Sequence, residues 1–269
     1  MEHLSVRGIH TDWRGTIRSI TDDASLPVGY YGPVTHDPAL RDHRTTLGAA
    51  VHRVCAFIYT PSMNDLVGVV LGAGSSRRLG RPKQTLDFGG QSLLSYVTHD
   101  IEAAESLTRI YLVLGGGSEE AQASLDLQRA QIVRNDSYGT GCASSLLAGL
   151  DAAGACDAIV MLLGDMPGVS ADVIDSVMNA WRDNPTWAAV TEYRGELGHP
   201  FVFSAAAFDQ LRGLHGDKAV WKIVDNEPVT RVARIAVDRD LPRDIDTWDD
   251  YDDVCAQFGF ATGQHDRGT

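Results

Sequence analysis

The chain predicts a three-layer α/β domain, a mostly parallel twisted sheet covered by helices. Three observations carry this expectation. Apolar runs at Leu66 to Leu71, Ile110 to Leu114 and Ala158 to Leu163 have the length and continuity of strands buried on both faces. Segments with helical spacing alternate with them, as crossovers between parallel strands require. The first run opens directly into a turn carrying Gly72, Gly74 and Gly80. In open α/β sheets, ligands gather at the carboxyl ends of strands.

The elements follow in order. Residues 1–62 carry five of the nine histidines, few periodic apolar positions and turn-rich pieces such as Gly32-Pro33. They read as a poorly structured extension or an upstream reading-frame artefact, with a small regulatory segment as the sharper alternative. The folded domain is expected over 63–260. After the strand at 66–71, Leu93, Leu94, Val97 and Ile101 space a helix over 91–105. A strand at 110–114, a helix at 118–127, a short strand at 131–133 and a helix at 143–152 follow. After the strand at 158–163, Ser170 caps a helix running to Trp181, with Asp172 in its first turn. Strands are expected at 188–191 and 201–203, helices at 205–214 and 218–224, a strand at 232–237 and a last helix at 247–258. The tail, 261–269, is polar and reads as loose.

Composition narrows the class. With 43% hydrophobic and 22% charged residues the chain resembles an ordinary globular protein. A net charge of −13 opposes nonspecific nucleic-acid binding, because phosphates would be repelled. No apolar run approaches the roughly 20 residues of a membrane span, and Glu2, His3, Arg7, His10 and Asp12 leave no signal-peptide core. Cys55, Cys142, Cys156 and Cys255 form no C-x-x-C pair and read as reduced cytoplasmic thiols.

Within this acidic chain Arg77, Arg78, Arg81 and Lys83 form a local basic patch among glycines. Glycines let the backbone approach an anion, and N–H groups with fixed cations then hold phosphate oxygens. A Walker loop needs Gly-Lys-Ser/Thr, and none follows Gly80. A dinucleotide fingerprint needs a third glycine where Arg77 stands. The remaining pattern is strand, Gly-rich turn, Arg, Gly and Pro-Lys. A Gly/Arg turn alone is an ordinary loop; the complete spacing, with Lys83 five residues after Arg78, is what argues for a phosphate site.

Other segments add chemistry. Leu162-Leu163-Gly164-Asp165-Met166-Pro167 ends a buried strand with a carboxylate, which reads either as a turn residue or as a Mg²⁺ ligand beside phosphates. Asn135 to Ser145 brings small residues and hydroxyls into a helix start, able to hold a ribose or base through backbone groups and Ser144. Gly198-His199-Pro200 places a histidine in a tight turn. Asp244-Ile245-Asp246-Thr247-Trp248-Asp249-Asp250 clusters carboxylates at the last helix. Helix capping accounts for Thr247, Asp249 and Asp250, and Asp246 remains as a second metal ligand.

These pieces, in this order, resemble the MobA-like nucleotidyltransferases, and within them the molybdenum cofactor cytidylyltransferases. The shared pattern is a glycine turn with R-x-G-x-P-K, then N…S-S-L, G-D-M-P, G-H-P, G-D and D-I-D-T, spanning Leu71 to Tyr251. The resemblance implies a Rossmann-like nucleotidyltransferase domain that moves a nucleoside monophosphate, CMP from CTP, onto the phosphate of a molybdopterin-type acceptor. It implies Mg²⁺ on Asp165 and Asp246, and Arg78, Lys83 and Asp165 as catalytic residues. Leu71, Gly72, Ala73, Gly74, Ser75, Arg78, Lys83, Ser144 and Gly164 would contact the nucleotide, and His199 the acceptor. A molybdoenzyme or its chaperone is the implied protein partner. Departures are Gly72-Ala73-Gly74 in place of Ala-Ala-Gly or Ala-Gly-Gly, Leu79 for Met, and Ala143 for Gly. Pro82 before Lys83, where the guanylyl branch has Asp, favours the cytidylyl side. The alternatives are guanylyl or other nucleotidyl transfer to a different phosphorylated acceptor, an NAD(P)H-dependent reductase on the same fold, and a pterin carrier without turnover.

Overall fold

The computed structural model describes residues 64–262, except Ser75, Arg77, Gly117, Asp217, Lys218 and Val229, together with 9–11 and 17–20. The chain divides into two units, Met1–Pro61 and Ser62–Thr269. The described part of the first is one antiparallel pair, β1 (Ile9–Thr11) with β2 (Ile17–Ile20). Apart from those strands, the expected N-terminal extension lies outside the described residues, as does the tail from 263.

The second unit is built on a seven-stranded sheet. Its strands are β3 (Leu66–Leu71), β6 (Arg109–Gly115), β7 (Ala130–Asn135), β8 (Ala158–Leu163), β9 (Ala188–Tyr193), β10 (Glu196–Ser204) and β11 (Val232–Val237). Their order is β11-β9-β10-β8-β3-β6-β7. All neighbours are parallel except β10, which runs antiparallel to both β8 and β9. A two-residue hairpin, β4 (Asp87–Phe88) with β5 (Gln91–Ser92), stands apart.

Strand alternation sends side chains into two cores. Leu66 and Val70 join one layer with α1 (Leu93–Glu102), α4 (Ala171–Asp183) and α7 (Trp248–Gln257). Val67, Val69 and Leu71 join the other with α3 (Cys142–Ala153), α5 (Phe208–Arg212) and α6 (Ala219–Asn226). Both faces of β3 are therefore dry, which explains its unbroken apolar run. Helix α3 lies so close that a Cβ at Gly149 would stand 2.2 Å from Val69 Cγ1. Among the described residues no helix is long and apolar enough to cross a membrane.

Several boundaries differ from expectation for local reasons. The helix expected from residue 91 begins at Leu93, because Gln91 and Ser92 pair with Asp87 and Phe88 across the Gly89-Gly90 turn. Ser92 Oγ then accepts the Ser95 N–H at 3.2 Å and caps the helix. The helix expected over 118–127 shrinks to α2 (Glu119–Ala123); the N–H and hydroxyl of Ser124 both turn back to the Ala121 carbonyl, at 3.2 and 2.8 Å. Gly198-His199-Pro200 is not a turn. Strand β10 runs through it, and the reversal comes earlier, at Arg194 (φ 47°) and Gly195 (φ 99°), the positive-φ pair a tight hairpin demands. At α7, Thr247 and Asp250 form a reciprocal capping box, as the charge pattern suggested.

Candidate functional site

Register brings the site together. Leu71, last in β3, lies opposite Val113 of β6 and Leu163 of β8. Strands β3 and β8 end at this level while β6 runs on to Gly115, and backbone bonds join the three: Gly72 N–H to Val113 O at 2.9 Å, and Gly164 N–H to Leu71 O at 3.0 Å. A Cβ on Gly164 would meet Leu94 Cδ1 at 2.8 Å and Gly72 Cα at 3.2 Å, so glycine there is a packing requirement.

The glycine turn is held from behind by Gln84, which sequence reasoning gave no role. Its buried amide nitrogen donates to Gly72 O at 2.8 Å and Gly74 O at 3.0 Å. The only sequence signal is its place directly after Pro82-Lys83. Ser76 Oγ accepts the Lys83 N–H at 2.9 Å and closes the loop at its far end.

Four charged side chains converge inside this frame. Lys83, 8% exposed, pairs through Nζ with Asp165 Oδ2 and, at 2.8 Å, with Asp246 Oδ1. Arg78, largely exposed, pairs with Asp246 Oδ2. Asp246 reaches the site because Ile245 N–H donates to Asp165 O at 3.0 Å, tying the D-I-D-T segment to the end of β8. Asp165 Oδ1 is buried and has no hydrogen-bond partner.

Burial works against the Lys83 charge, but Asp165 and Asp246 outweigh it and hold its pKa above the usual value. Burial also opposes charge on Asp246, yet Lys83 and Arg78 hold it below the ordinary carboxylate range. At Asp165 burial wins and raises the pKa; Lys83 pulls back, and the charges of Asp244 and Asp246 add to the rise. The two half-buried acids exceed what one lysine neutralises, and Arg78 supplies the balance from the surface.

A cavity of about 700 Å³ opens over this cluster. Of the expected residues, Leu71, Gly72, Ala73, Gly74, Arg78, Lys83, Gly164, Asp165 and Asp246 line it, and Ser75 lies outside the described residues. The opposite wall runs from Tyr138 to Cys142 and includes Ser145. Ser144, expected on that wall, turns away: its hydroxyl accepts from Asn135 Nδ2 at 2.9 Å and donates to Gly141 O at 2.8 Å. Asn135 also binds Ser145 Oγ at 3.0 Å, so this asparagine orders both serines. Tyr138 lies over Gly115, where a Cβ would stand 2.7 Å from its ring.

His199 is not in the cavity. As part of β10 it is buried, packs against the Phe201 ring at 4.6 Å, and places Nδ1 3.3 Å from Met161 O. Burial lowers its pKa to about 4 against the opposing pull of that carbonyl, so the ring is neutral at pH 7. The expectation that it faces an acceptor from a turn fails because the turn does not exist.

The donor set fits Mg²⁺. Asp165 and Asp246 offer hard carboxylate oxygens on one side of the cavity, one of them without a partner. Among the described residues no three His, Cys, Asp or Glu side chains gather as a complete cage. Two carboxylates with phosphate and water oxygens suit an ion that keeps much of its hydration.

The chain is similar to known proteins in sequence and in fold. A nicotine blue oxidoreductase of Paenarthrobacter nicotinovorans is 30% identical over 151 residues, 52% of this chain and 71% of that protein. The crystal structure of an Rv0371c homologue from Mycobacterium sp. strain JC1 is 39% identical and superposes with a TM-score of 0.65, covering 71% of this chain and 96% of that one. Rv0371c of Mycobacterium tuberculosis H37Rv, solved in complex with manganese, is 31% identical with a TM-score of 0.60, over 71% and 98% of the two chains. Residues 68–232, from the middle of β3 to the first residue of β11, match the profile of the MobA-like NTP transferase domain. With its glycine turn, its Arg and Lys and its strand-end carboxylate arranged around one cavity, the chain belongs to the MobA-like NTP transferase family.

Proposed function

We propose that the chain is a divalent-metal-dependent nucleotidyltransferase that moves CMP from CTP onto the phosphate of a molybdopterin-type cofactor and releases pyrophosphate. The observation that carries this reading is the convergence of Arg78, Lys83, Asp165 and Asp246 at the shared end of β3 and β8. The manganese bound by Rv0371c supports the metal requirement, and Pro82 before Lys83 supports the cytidylyl branch.

In this reading an oxygen of the acceptor phosphate bonds to the α-phosphorus, the bond from that phosphorus to the β-bridging oxygen breaks, and pyrophosphate departs with the electron pair. A phosphate acceptor is already ionised at neutral pH, so no general base is needed. The glycine turn, held by Gln84, receives the phosphates, and Lys83 and Arg78 neutralise charge on the departing pyrophosphate. Asp165 and Asp246 would hold the metal, which when bound supplies charge neutralisation at the phosphoryl oxygens. The cavity wall from Tyr138 to Ser145 takes the nucleoside. Pyrophosphate release measured across the four NTPs, with and without molybdopterin, tests the reading; release with CTP and molybdopterin is expected.

A second reading follows from the oxidoreductase relative: hydride transfer from NAD(P)H to an oxidised small-molecule acceptor in the same cavity. Loss of NAD(P)H absorbance, with no pyrophosphate from any NTP, would replace the first reading with this one.

A further inference from the structure

The ammonium of Lys83 occupies the space between the two carboxylates that suit a metal. It pairs with Asp165 Oδ2 and stands 2.8 Å from Asp246 Oδ1, at 8% exposure. A divalent ion drawn to the same oxygens would meet that charge at contact distance. With Lys83 in place, Asp165 Oδ1 is the buried carboxylate oxygen left without a partner, and one oxygen is a poor site for a free ion.

The charges point the same way. Asp165 and Asp246 carry two negative charges, matched in this structure by Lys83 and Arg78. A divalent ion added to that balanced set overcharges the pocket. If Lys83 leaves at the same time for a phosphate, every charge keeps an opposite partner before and after. A buried charge without a partner is strongly unfavourable, so a paired exchange avoids the costly intermediate state.

We propose that Lys83 is the resident counter-ion of the metal site, and that a divalent cation enters only with nucleotide phosphates, which draw the ammonium away as the metal arrives. This rests on the nucleotidyl-transfer reading. The species recognised is then the metal–nucleotide complex, and Lys83 has two successive partners: the carboxylates in the free protein and the phosphates in the complex.

The test titrates nucleotide-free protein with manganese chloride and reads unbound Mn²⁺ by electron paramagnetic resonance. Wild type should bind weakly. Lys83→Met should bind one Mn²⁺ at least tenfold more tightly, and adding Asp165→Asn to that variant should abolish the gain. If Lys83→Met is too unstable to titrate, thermal melts read the same binding, and manganese should raise its Tm more than that of wild type. Equal manganese affinity in wild type and Lys83→Met, or tight binding by wild type without nucleotide, overturns the proposal. If that happens while wild type still releases pyrophosphate from CTP, only the counter-ion role falls. If no NTP is turned over, the transferase reading falls, and tighter manganese binding by Lys83→Met would stand as a separate fact.

Discussion

Lys83 and Arg194 each stand between two carboxylates, and only the first lies in a cavity. Arg194, at the β9–β10 turn, bonds Asp238 at 2.8 Å and Asp240 at 2.6 Å, with both acids about nine-tenths exposed. Lys83 has the same two-acid arrangement, but its own side chain is 8% exposed and Asp165 is 19% exposed. Water screens the first group, and exposed pairs of this kind contribute about 0–1 kcal/mol. In the second, burial raises the strength of every charge interaction and penalises any charge left alone. The charge pattern is shared; the dielectric setting separates a surface clasp from a cluster at the floor of a cavity.

The comparison can be broken or sharpened by substitution. Lys83→Ala should reduce kcat/KM by about 10²-fold or more in a pyrophosphate-release assay, because a charge-assisted contact to the departing group is lost. Unchanged turnover would make the buried trio no more functional than the exposed one. Asp165→Asn should lower turnover by a similar order, about 10²-fold, with partial recovery at raised Mg²⁺ or with Mn²⁺. Activity indifferent to a chelator would remove the carboxylates from the chemistry.

Smaller effects sharpen the contrast. Gln84→Glu keeps the shape but replaces both donors with acceptors facing the Gly72 and Gly74 carbonyls. Leaving buried acceptors unpaired costs roughly 1–3 kcal/mol, so nucleotide binding should weaken about tenfold by calorimetry. His199 tests burial without a charged partner. The unfolded chain takes up a proton below about pH 6.5, and the native ring resists it down to about 4. Its contribution to stability is therefore full above that window and is lost as pH falls through it, at up to about 1.4 kcal/mol per unit. Urea unfolding at pH 7 and pH 5 should show a gentler acid loss in His199→Gln; an identical pH slope would refute the assignment. Arg194→Ala should leave both stability and turnover essentially unchanged, as thermal melts and the pyrophosphate assay would show.

Much of this was legible in the sequence where the signal is local. The runs at Leu66–Leu71 and Ala158–Leu163 are strands with the expected bounds, because a strand buried on both faces must be continuously apolar, and Val232–Val237 keeps its expected bounds at the sheet edge with alternating exposure. The glycine turn, Arg78, Lys83, Asp165 and Asp246 meet at one cavity, as their motif order implied. What was not legible depends on partners distant in sequence. Nothing near Lys83 reveals that its ammonium is shared by two acids, one of them 163 residues away. Gln84 reads as an ordinary polar residue until the carbonyls it holds are seen. His199 was misjudged because Gly and Pro on either side suggest a turn, whereas β10 accommodates both with a register irregularity between Gly198 and Phe201.

The hydrogen bond from Ile245 to Asp165 has a consequence in time as well as space. The family profile ends at residue 232, so Asp246 belongs to a stretch beyond it. Synthesis proceeds from the N-terminus, and domains begin to fold as they emerge. The glycine turn, Lys83 and Asp165 are thus all made before their last partner. Until α7 docks and Ile245 engages the end of β8, the nascent protein has one acid for its lysine and lacks the second carboxylate of the pocket. The charge set around Lys83 is therefore completed only when residues 245–257, made after the matched domain, fold back onto the sheet.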